Sequence, residues 1–396
     1  MEKVVVTGLG VVSALGNNIQ EFESRLKEGE SGIKPITRFN ALVYRNSNAG
    51  VVEGDFGKDY VSLQYTLNAS EQAIIDANID LEHENHIRVG VAIASSLGCV
   101  GQFEKIISDK INGKKSSIST FRNIPHSSIA SYISNKYCTN GPCISLDTAC
   151  ASGSSILGYA YDLIRKGKCD VIIAGGVDEL SLLSYSGFSG MMNLSKDICK
   201  PFDKKRSGIL LGEGCGMVIL ESLTHAQKRG AKVYCSIAGY GLSNDAYHET
   251  QPDPNGEGAI KSIRMALKQA GISEDKIDYI NAHGTGTKQN DAMEMTAINE
   301  VFGNNKEGIK VSSIKGAIGH TLGAAGAIEF VATAIAIKNG VIPPTINFSE
   351  PMDEYSDWDF VANKSIKKNI RYAISNSFGF AGNCCAIVLR NENENE

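Results

Sequence analysis

Three separate segments of this 396-residue chain each present one reactive side chain among small neighbours. The reactive residues are Cys150, His283 and His320, and the segments are Asp147–Gly153, Asn281–Thr287 and Lys315–His320. A cysteine supplies a nucleophile and two histidines supply proton or hydrogen-bond partners, which are the groups that covalent acyl transfer requires. We therefore predict an enzyme that brings these three residues into one site.

The sequence around Cys150 predicts a turn between a strand and a helix. Ile144–Leu146 has the short apolar pattern of a strand, and residues 152–166 are compatible with a helix that ends before Gly167. Cys150 would then lie at the helix N-terminus, where backbone N–H groups and the helix dipole favour thiolate over thiol. The other nine cysteines are expected to be buried structural residues.

Each histidine is flanked by glycine, which lets backbone and ligand approach closely. His283 follows an apolar stretch and could equally be a core residue if it stood alone, and the His320 segment could be a helix-packing element. Lys315 and Glu329 favour a functional role for His320, since a basic and an acidic residue near one histidine can fix its tautomer and charge.

Alternating short apolar runs and longer amphipathic stretches predict an α/β protein with an internal duplication. Val4–Gly10 is echoed by Cys235–Gly241, each an apolar strand with a Gly-x-Gly break. A helix at 154–166 followed by a strand at 171–176 is echoed by a helix at 291–302 followed by a strand at 309–312. Two facing halves, divided near Gly230, would place Cys150 and His283 in one cleft.

Composition excludes several other classes of protein. A net charge of -5 argues against a general nucleic-acid binder. Ten cysteines without a short framework of spacings indicate reduced thiols and a cytoplasmic protein, and no Cys or His spacing suggests a metal site. Val4–Val12 resembles a buried strand rather than a signal peptide, and no run reaches the length of a membrane span.

The three segments resemble the Cys-His-His motifs of the β-ketoacyl-acyl-carrier-protein synthases of the thiolase superfamily, in particular the synthase II group. The resemblance extends from Val4–Gly10 to Ser375–Phe380 and so covers nearly the whole chain. It implies a thiolase-like five-layered α/β/α/β/α sandwich of two duplicated halves. We expect residues 1–230 to carry the nucleophilic cysteine and residues 231–396 to carry both catalytic histidines.

The resemblance also implies a mechanism that needs no cofactor or metal. An acyl chain would be held as a thioester on Cys150, with the backbone N–H groups of Cys150 and Phe380 as oxyanion hole. His283 and His320 would then promote decarboxylation of malonyl-carrier protein, and the resulting carbanion would attack the acyl group. Two further groups of residues match family positions, namely Lys315 and Glu329 in support of His320 and Thr285 and Thr287 as hydrogen-bond partners of the pantetheine arm.

The expected partners are an acyl carrier protein bearing phosphopantetheine and the malonyl and acyl thioesters that it carries. Lys204, Lys205 and Arg206 form a basic cluster that could dock an acidic carrier protein, although such clusters are more often solvated surface. Family members are generally dimers, which predicts a homodimer or a heterodimer with a related chain-length subunit. Neither nucleic acid nor a membrane is an expected partner.

Two departures from the family motifs leave the pathway open between fatty-acid synthesis and type II polyketide or polyene synthesis. The gate segment contains Ala381, Asn383 and Cys384 where Gly, Thr and Asn are usual, and Gly286 stands where synthase II enzymes commonly carry serine. A non-catalytic chain-length partner and a coenzyme A thiolase are the alternative functions. Retention of Cys150, His283 and His320 argues against the first, and the pair of histidine motifs argues against the second.

Overall fold

The structure is a computed structural model that describes residues 2–115, 121 and 124–392. The helices of this part of the chain are α1 (Ile19–Glu28), α2 (Val61–Ala77), α3 (Val100–Ile111), α4 (His126–Lys136), α5 (Ser152–Arg165), α6 (Leu182–Gly190), α7 (Leu223–Lys228), α8 (Glu257–Ala270), α9 (Lys288–Phe302), α10 (Lys315–Ile318) and α11 (Ala325–Asn339). Two short 3-10 helices, Leu322–Ala324 and Phe380–Gly382, lie beside the site described below.

Ten of the fourteen strands within these described ranges form one continuous sheet. The strands are β1 (Val4–Ser13), β2 (Ile33–Pro35), β3 (Asn48–Gly50), β4 (Val89–Ala94), β5 (Cys143–Leu146), β6 (Val171–Asp178), β7 (Gly214–Ser222), β8 (Cys235–Asn244), β9 (Tyr279–Asn281), β10 (Lys310–Ser312), β11 (Val341–Ile342), β12 (Ile366–Lys367), β13 (Tyr372–Phe378) and β14 (Asn383–Arg390). The large sheet has the order β10-β9-β13-β14-β8-β1-β7-β6-β4-β5, and β2–β3 and β11–β12 form two small sheets.

The large sheet consists of two five-strand units with the same topology. Numbered along each unit, the strands follow the order 3-2-4-5-1 in both. In both units, strands 3, 2 and 4 run parallel to one another. Strand 5 pairs antiparallel with strand 4 on one side and with strand 1 on the other. The units join through β1 and β8, which pair over only three residues each. This repeat confirms the predicted thiolase-like duplication; the exact division near Gly230 remains a prediction.

Helices α5 and α11 form the central layer, because each packs against strands of both five-strand units. Helices α2 and α4 cover the outer face of one unit and α8 covers that of the other, with α9 packed on α8, which completes five layers. The segment Leu322–Asn339 is apolar enough to span a membrane by composition, yet 89% of it is buried inside the protein. Burial from both sides explains its apolar sequence, since neither face of this helix meets water.

Most predicted elements form close to their predicted positions. The helix predicted at 152–166 is α5, and Gly167 follows it with a left-handed φ of 68°. The helix predicted at 291–302 begins three residues earlier, at Lys288, because Thr287 caps it by accepting a hydrogen bond from the Asn290 N–H. The strands predicted at 4–12 and 235–241 are β1 and β8.

The carboxyl ends of six parallel strands meet at one central cleft. In the first unit these strands are β4, β5 and β6, and in the second they are β9, β10 and β13. Ligands of open α/β sheets commonly bind at such ends, because the loops there are free to carry polar side chains. Cys150, His283 and His320 all lie on loops that follow these strands.

Candidate active site

The three predicted reactive residues line one cleft of about 620 Å³. The cleft lies where the two five-strand units face each other, and both units contribute residues to its wall. Its other lining residues include Phe188, Asn193, Thr250, Gln251, Thr285, Thr287, Gln289, Phe378 and Phe380. The prediction that Cys150, His283 and His320 converge is therefore confirmed by the geometry.

Cys150 lies on a tight turn between β5 and α5. Asp147 begins the turn by accepting the Ala149 N–H at 2.9 Å, and Ala149 adopts a left-handed φ of 50°. This conformation is costly for alanine, so surrounding contacts must hold it. Gly379 lies against the turn so closely that a Cβ there would be 2.9 Å from the Cys150 nitrogen. A glycine at 379 is what allows the gate segment to reach the nucleophile.

The Cys150 sulfur is buried, with only 8% of the residue exposed. Burial raises the pKa of the Cys150 thiol to about 12, although Lys315 and the backbone N–H groups of Phe380 and Cys150 act to lower it. The expected thiolate at the helix N-terminus is therefore outweighed by desolvation. Both N–H groups act on the sulfur, and their predicted role as an oxyanion hole stays a prediction.

His283 is held by the helix that follows it. The Glu294 carboxylate in α9 accepts the N–H of His283 at 2.8 Å and that of Gly284 at 2.7 Å. Gly284 takes a positive φ of 39° at this bend, and a Cβ there would clash with Ser313. Two hydrogen bonds to one buried carboxylate fix the backbone from which the His283 ring extends into the cleft.

Lys315 and Glu329 form a buried ion pair that contacts His283 rather than His320. The Lys315 ammonium donates to the Glu329 carboxylate and lies 3.2 Å from His283 Nδ1, and both ionic side chains are buried. Burial raises the pKa of Glu329 to about 7, against the lowering by Lys315. The hydrogen bond of Lys315 is thus made to His283, although its charge also lowers the pKa of His320, and the role of the pair in support of His320 stays a prediction.

His320 receives its hydrogen bond from the backbone instead. The Leu322 N–H donates to His320 Nδ1 at 3.1 Å, inside the turn that leads to α11. The backbone of His320 is tied to the neighbouring segment, because its N–H donates to the Leu210 carbonyl at 2.7 Å and its carbonyl accepts the Gly212 N–H at 2.9 Å. Both the ring and the backbone of His320 are thus held by hydrogen bonds within the protein.

The hydrogen bonds assign the same tautomer to both histidines. Since Nδ1 of His283 accepts from Lys315 and Nδ1 of His320 accepts from Leu322, the proton of each neutral ring is on Nε2. Burial lowers the pKa of both rings well below 6.5, and the Lys315 charge lowers it further. The ring centres lie 5.2 Å apart. Two neutral N–H donors therefore face one cleft.

Thr285 and Thr287 line the same cleft and are linked to each other by a hydrogen bond of 2.9 Å between their hydroxyl oxygens. Between them, Gly286 has a φ of 77°, and a Cβ there would lie 2.9 Å from the Gly208 carbonyl oxygen. A side chain at this position would be strained, so the glycine fits the local backbone of this chain.

The Phe380 ring closes one side of the cleft by stacking on Phe188, with ring centres 5.5 Å apart. Ala381 has φ 58° and ψ 24°, a left-handed conformation that favours glycine. Its N–H donates to the Glu249 carbonyl at 2.8 Å, and its carbonyl accepts from the Asn244 side chain at 2.7 Å. The altered gate sequence is thus held in a strained conformation by the loop after β8.

The predicted docking residues occupy different environments. Lys204 and Lys205 are exposed and pair with Asp353 and Glu350. Only 11% of the Arg206 side chain is exposed; its guanidinium donates to the carbonyl oxygens of Thr287, Asp203 and Lys288. Arg206 therefore joins two loops, and the freely accessible charges of the cluster are those of the two lysines.

Sequence reasoning missed several residues that build this site, among them Glu294, Phe188 and Asp178. Glu294 had a detectable signal, because Asp291 and Glu294 lie three residues apart on one face of the first turns of α9, next to the His283 loop. Phe188 and Asp178 had none, since only the folded chain brings them to Phe380 and to the Cys150 turn.

Comparison with known proteins agrees with this geometry. The family description "Beta-ketoacyl synthase, N-terminal domain" matches residues 1–60 and 60–226, and "Beta-ketoacyl synthase, C-terminal domain" matches residues 234–349. Together these matches cover both halves of the duplicated fold and all three reactive residues.

Similar proteins match over almost their whole length. The 3-oxoacyl-[acyl-carrier-protein] synthase 2 of Coxiella burnetii is 41% identical, over 98% of this chain and 99% of that protein, and that of Synechocystis sp. is 39% identical over 98% of each. Among solved structures, a type II polyketide ketosynthase in complex with its acyl-carrier protein superposes with a TM-score of 0.93 at 34% identity, covering 98% of this chain and 99% of that one. The ishigamide ketosynthase/chain length factor has a TM-score of 0.93 at 33% identity, with the same coverage. With this identity over nearly full length, the chain belongs to the beta-ketoacyl synthase family.

Proposed function

We propose that this chain is a β-ketoacyl-acyl-carrier-protein synthase that joins an acyl chain to the two-carbon unit of malonyl-carrier protein. The observation that carries the proposal is the pair of neutral histidines with protonated Nε2 atoms on the wall of the cleft that holds Cys150. A coenzyme A thiolase would instead need a second catalytic cysteine. Cys384 lies beyond the gate, buried in β14, and does not line the cleft.

The first half-reaction loads the acyl chain. The Cys150 sulfur attacks the thioester carbonyl of acyl-carrier protein, the N–H groups of Cys150 and Phe380 stabilise the oxyanion, and the carrier thiol leaves with the proton. Because burial keeps the Cys150 thiol protonated, the proton must leave during the attack rather than before it. The small residues at the turn leave room for the entering thioester.

The second half-reaction creates the carbon nucleophile. Malonyl-carrier protein loses carbon dioxide, and the electron pair of the broken C–C bond passes into the thioester as an enolate. The Nε2–H groups of His283 and His320 donate hydrogen bonds to the developing enolate oxygen. Neutral rings serve this role at physiological pH, and their lowered pKa keeps them neutral.

Condensation then completes the cycle. The enolate carbon attacks the Cys150 thioester, the C–S bond breaks, and the released Cys150 thiolate takes up a proton from solvent as the β-ketoacyl-carrier protein leaves. We expect Thr285 and Thr287 to hold the pantetheine arm, since both residues line the cleft that His283 and His320 also line. Lys204 and Lys205 supply positive charge for the acidic carrier protein, and Arg206 keeps their loop in place.

Separating the two half-reactions tests the proposal. We expect Cys150→Ala to abolish condensation but leave carbon dioxide release from malonyl-carrier protein, whereas His283→Ala or His320→Ala should remove both. Released carbon dioxide and the carrier-bound product are measured by radiolabel and mass spectrometry. Condensation by the Cys150→Ala variant would refute the mechanism, and a wild-type protein without either activity would favour a scaffold role as chain-length partner.

The pathway is distinguished by the acyl chain that the enzyme accepts. The strained Ala381 gate favours a specialised polyketide or polyene chain, because it departs from the gate of the synthase II group. Purified protein should then prefer an aryl or polyunsaturated primer on the carrier. Efficient elongation of saturated chains by the protein alone, with no gain from a second subunit, would favour fatty-acid synthesis.

Ten free cysteines within the described residues support a reducing compartment, so we place the protein in the cytoplasm.

A further inference from the structure

Asp178 is a fully buried carboxylate at the end of β6, between the Cys150 turn and the His320 turn. Its hydrogen-bond partners among the described residues are all neutral donors: the Ser95 hydroxyl at 2.6 Å and the N–H groups of Ser96 (3.1 Å), Leu97 (3.0 Å) and Gly323 (2.6 Å). Burying a charge is costly unless hydrogen bonds compensate for the lost water, and for Asp178 these neutral donors supply them.

One set of these bonds leads to Cys150. Asp178 fixes the backbone of Ser96, and the Ser96 hydroxyl donates to the Ala149 carbonyl at 3.0 Å. Ala149 precedes the nucleophile and has the left-handed φ of 50° that strains the turn. The Ser96 contact is therefore one of the restraints that keep this alanine, and with it the Cys150 sulfur, in place.

The other bond leads to His320. Gly323 lies in the 3-10 turn Leu322–Ala324, and its N–H donates to Asp178 Oδ2. The preceding residue, Leu322, has a strained φ of 53° and donates the hydrogen bond that sets the His320 tautomer. The fit is tight, since a Cβ on Gly323 would lie 2.7 Å from Asp178 Oδ2 and from Ser96.

We infer that Asp178 is a positioning residue that aligns the nucleophile turn and the His320 turn with each other. It joins the loops that follow β4 and β5 in one unit to the turn before α11 in the other. One carboxylate therefore sets the position of Cys150 relative to His320. An amide could not replace it, because an asparagine NH2 would meet an N–H donor. This inference rests on the proposed function for its activity readouts only.

Two variants separate the two arms of this arrangement. Asp178→Asn keeps the shape but replaces one carboxylate oxygen by an NH2 group, which at the Oδ2 position opposes the N–H groups of both Ser96 and Gly323. Alkylation of Cys150 by iodoacetamide and carbon dioxide release from malonyl-carrier protein should therefore each fall about tenfold, the effect of one lost hydrogen bond to a charged group. Ser96→Ala removes the hydroxyl bond to Ala149 and the longer contact of 3.4 Å with the Ser152 hydroxyl, both at the Cys150 turn, and leaves the Gly323 bond intact. Its Cys150 alkylation should fall, while decarboxylation stays within about twofold of wild type. Alkylation is followed on the Cys150 peptide by mass spectrometry.

Glu221→Gln is the matched control, since Glu221 is also fully buried and hydrogen-bonded but lies in the Arg229 ion pair, outside the cleft. This variant should lose thermal stability and keep both rates. If Asp178→Asn behaves in the same way, with lower Tm and unchanged rates of the folded enzyme, Asp178 is only structural and the inference is wrong. If Asp178→Asn lowers the rate of Cys150 alkylation but not the rate of carbon dioxide release, Asp178 does not position His320.

A further readout does not depend on activity. Nitrogen-15 NMR of labelled histidine reports the tautomer, and His320 in the wild type should be the Nε2–H form. Asp178→Asn should shift His320 toward a mixture of tautomers while His283, held by Lys315, stays unchanged. An unchanged His320 spectrum would overturn the arm through Gly323. If wild-type protein released no carbon dioxide, the proposed function would fail, and this measurement and the alkylation rates would still decide the role of Asp178.

Discussion

At the scale of single residues, the two histidines resemble each other in chemistry but not in support. His283 Nδ1 receives a hydrogen bond from an ammonium group, and His320 Nδ1 receives one from a backbone N–H. The first donor is a side chain that depends on its buried partner Glu329, whereas the second depends on the backbone of a turn. The tautomer of His283 is therefore sensitive to side-chain substitution, whereas that of His320 is sensitive to the geometry of its turn.

This difference predicts the behaviour of Lys315 variants. Lys315→Met should leave the Glu329 charge buried without its partner and destabilise the protein by about 3–5 kcal/mol at neutral pH. Burial raises the pKa of Glu329 and Lys315 acts to lower it, so the pKa of Glu329 should rise further in the variant. Because Glu329 then takes up a proton on folding, the loss of stability should shrink toward pH 5 and grow as pH rises. Decarboxylation should fall at every pH, since His283 loses the donor that fixes its tautomer.

The double variant Lys315→Met with Glu329→Gln separates stability from catalysis. It removes both charges, so the free energy of unfolding from urea titration should return toward the wild-type value. Carbon dioxide release should remain low, because Nδ1 of His283 still has no donor. Recovery of decarboxylation in the double variant would show that Lys315 acts through stability alone.

Motif chemistry was sufficient to predict Cys150, His283 and His320, because each lies in a short segment that forms its own local turn. The partners of these residues could not be predicted in the same way. Lys315 is five residues from His320 in sequence, yet its flexible side chain extends to His283 across the cleft. The raised pKa of the Cys150 thiol could not be predicted for a related reason. The sequence argument considered only the helix N-terminus, whereas the desolvation of Cys150 depends on the Phe380 segment packing over it.

At the scale of elements, the gate is a short 3-10 helix held by its neighbours. Ala381 is in the left-handed region at the centre of this helix, and the loop after β8 contributes the Glu249 and Asn244 contacts. Alanine in this conformation is less stable than glycine by about 1 kcal/mol. We therefore expect this gate segment to leave the observed conformation more easily than one with glycine would.

Substituting Ala381→Gly should stabilise the closed gate. The Ala381 N–H is bonded to Glu249, and its hydrogen exchange, corrected for intrinsic rates, should slow about fivefold in the variant, as expected for about 1 kcal/mol. Asn78 also has a positive φ, of 49°, and follows the end of α2, away from the gate helix. Asn78→Gly should therefore leave the amide of residue 381 unaffected, and an equal slowing in both variants would contradict gate-specific strain.

A second element-level feature is the attachment of α7 to the sheet. Glu221 at the end of β7 bonds to Arg229, and His225 in α7 bridges Glu221 and Glu84 at 2.6 and 3.0 Å. Burial alone would raise the pKa of Glu221, but its hydrogen bonds lower it to about 2, and those bonds raise the pKa of His225. Glu221 therefore stabilises the fold above about pH 4.5 and loses this contribution as pH falls toward 2.

His225 has the opposite pH dependence. Its raised pKa makes its contribution complete below 6.5, and the contribution is lost as pH rises through the folded-state pKa. His225→Gln should lower the free energy of unfolding by about 2 kcal/mol at pH 5.5, and the difference from wild type should shrink by pH 9. His83→Gln, at an exposed histidine, should show little change at either pH. A constant difference across pH would exclude titration of His225 as the cause.

At the scale of the whole molecule, the duplicated topology explains why the sequence pattern was informative about the fold. Buried parallel strands such as β4 and β6 have apolar runs without alternation, and the boundaries of β6 were close to those predicted. The continuous sheet could not be predicted, because it depends on only three paired residues each in β1 and β8. No periodicity within a strand specifies which other strand will lie beside it.

The two ends of this sheet are covered differently. The β10 end is bridged by Phe360 through Val311, whereas the outer edge of β5 has no bridge among the described residues. Open edges are a liability unless another chain pairs with them. Helix α3, in the same half of the chain, exposes Phe103, Ile107 and Ile111, with 41%, 43% and 78% of their surface accessible. An exposed edge together with exposed apolar residues favours a subunit interface.

We therefore expect a dimer that uses the β5 edge and α3. Replacing Ile107 and Ile111 together by Asp should convert it to a monomer in sedimentation equilibrium, because two buried charges without partners cannot be accommodated at an apolar interface. Ile75, 71% exposed on α2, provides the matched control, and Ile75→Asp should leave the dimer intact. If the Asp variant of α3 remains dimeric with wild-type affinity, the interface lies elsewhere. If mixing with a related chain-length subunit restores assembly of an otherwise monomeric wild type, the same surface serves a heterodimer.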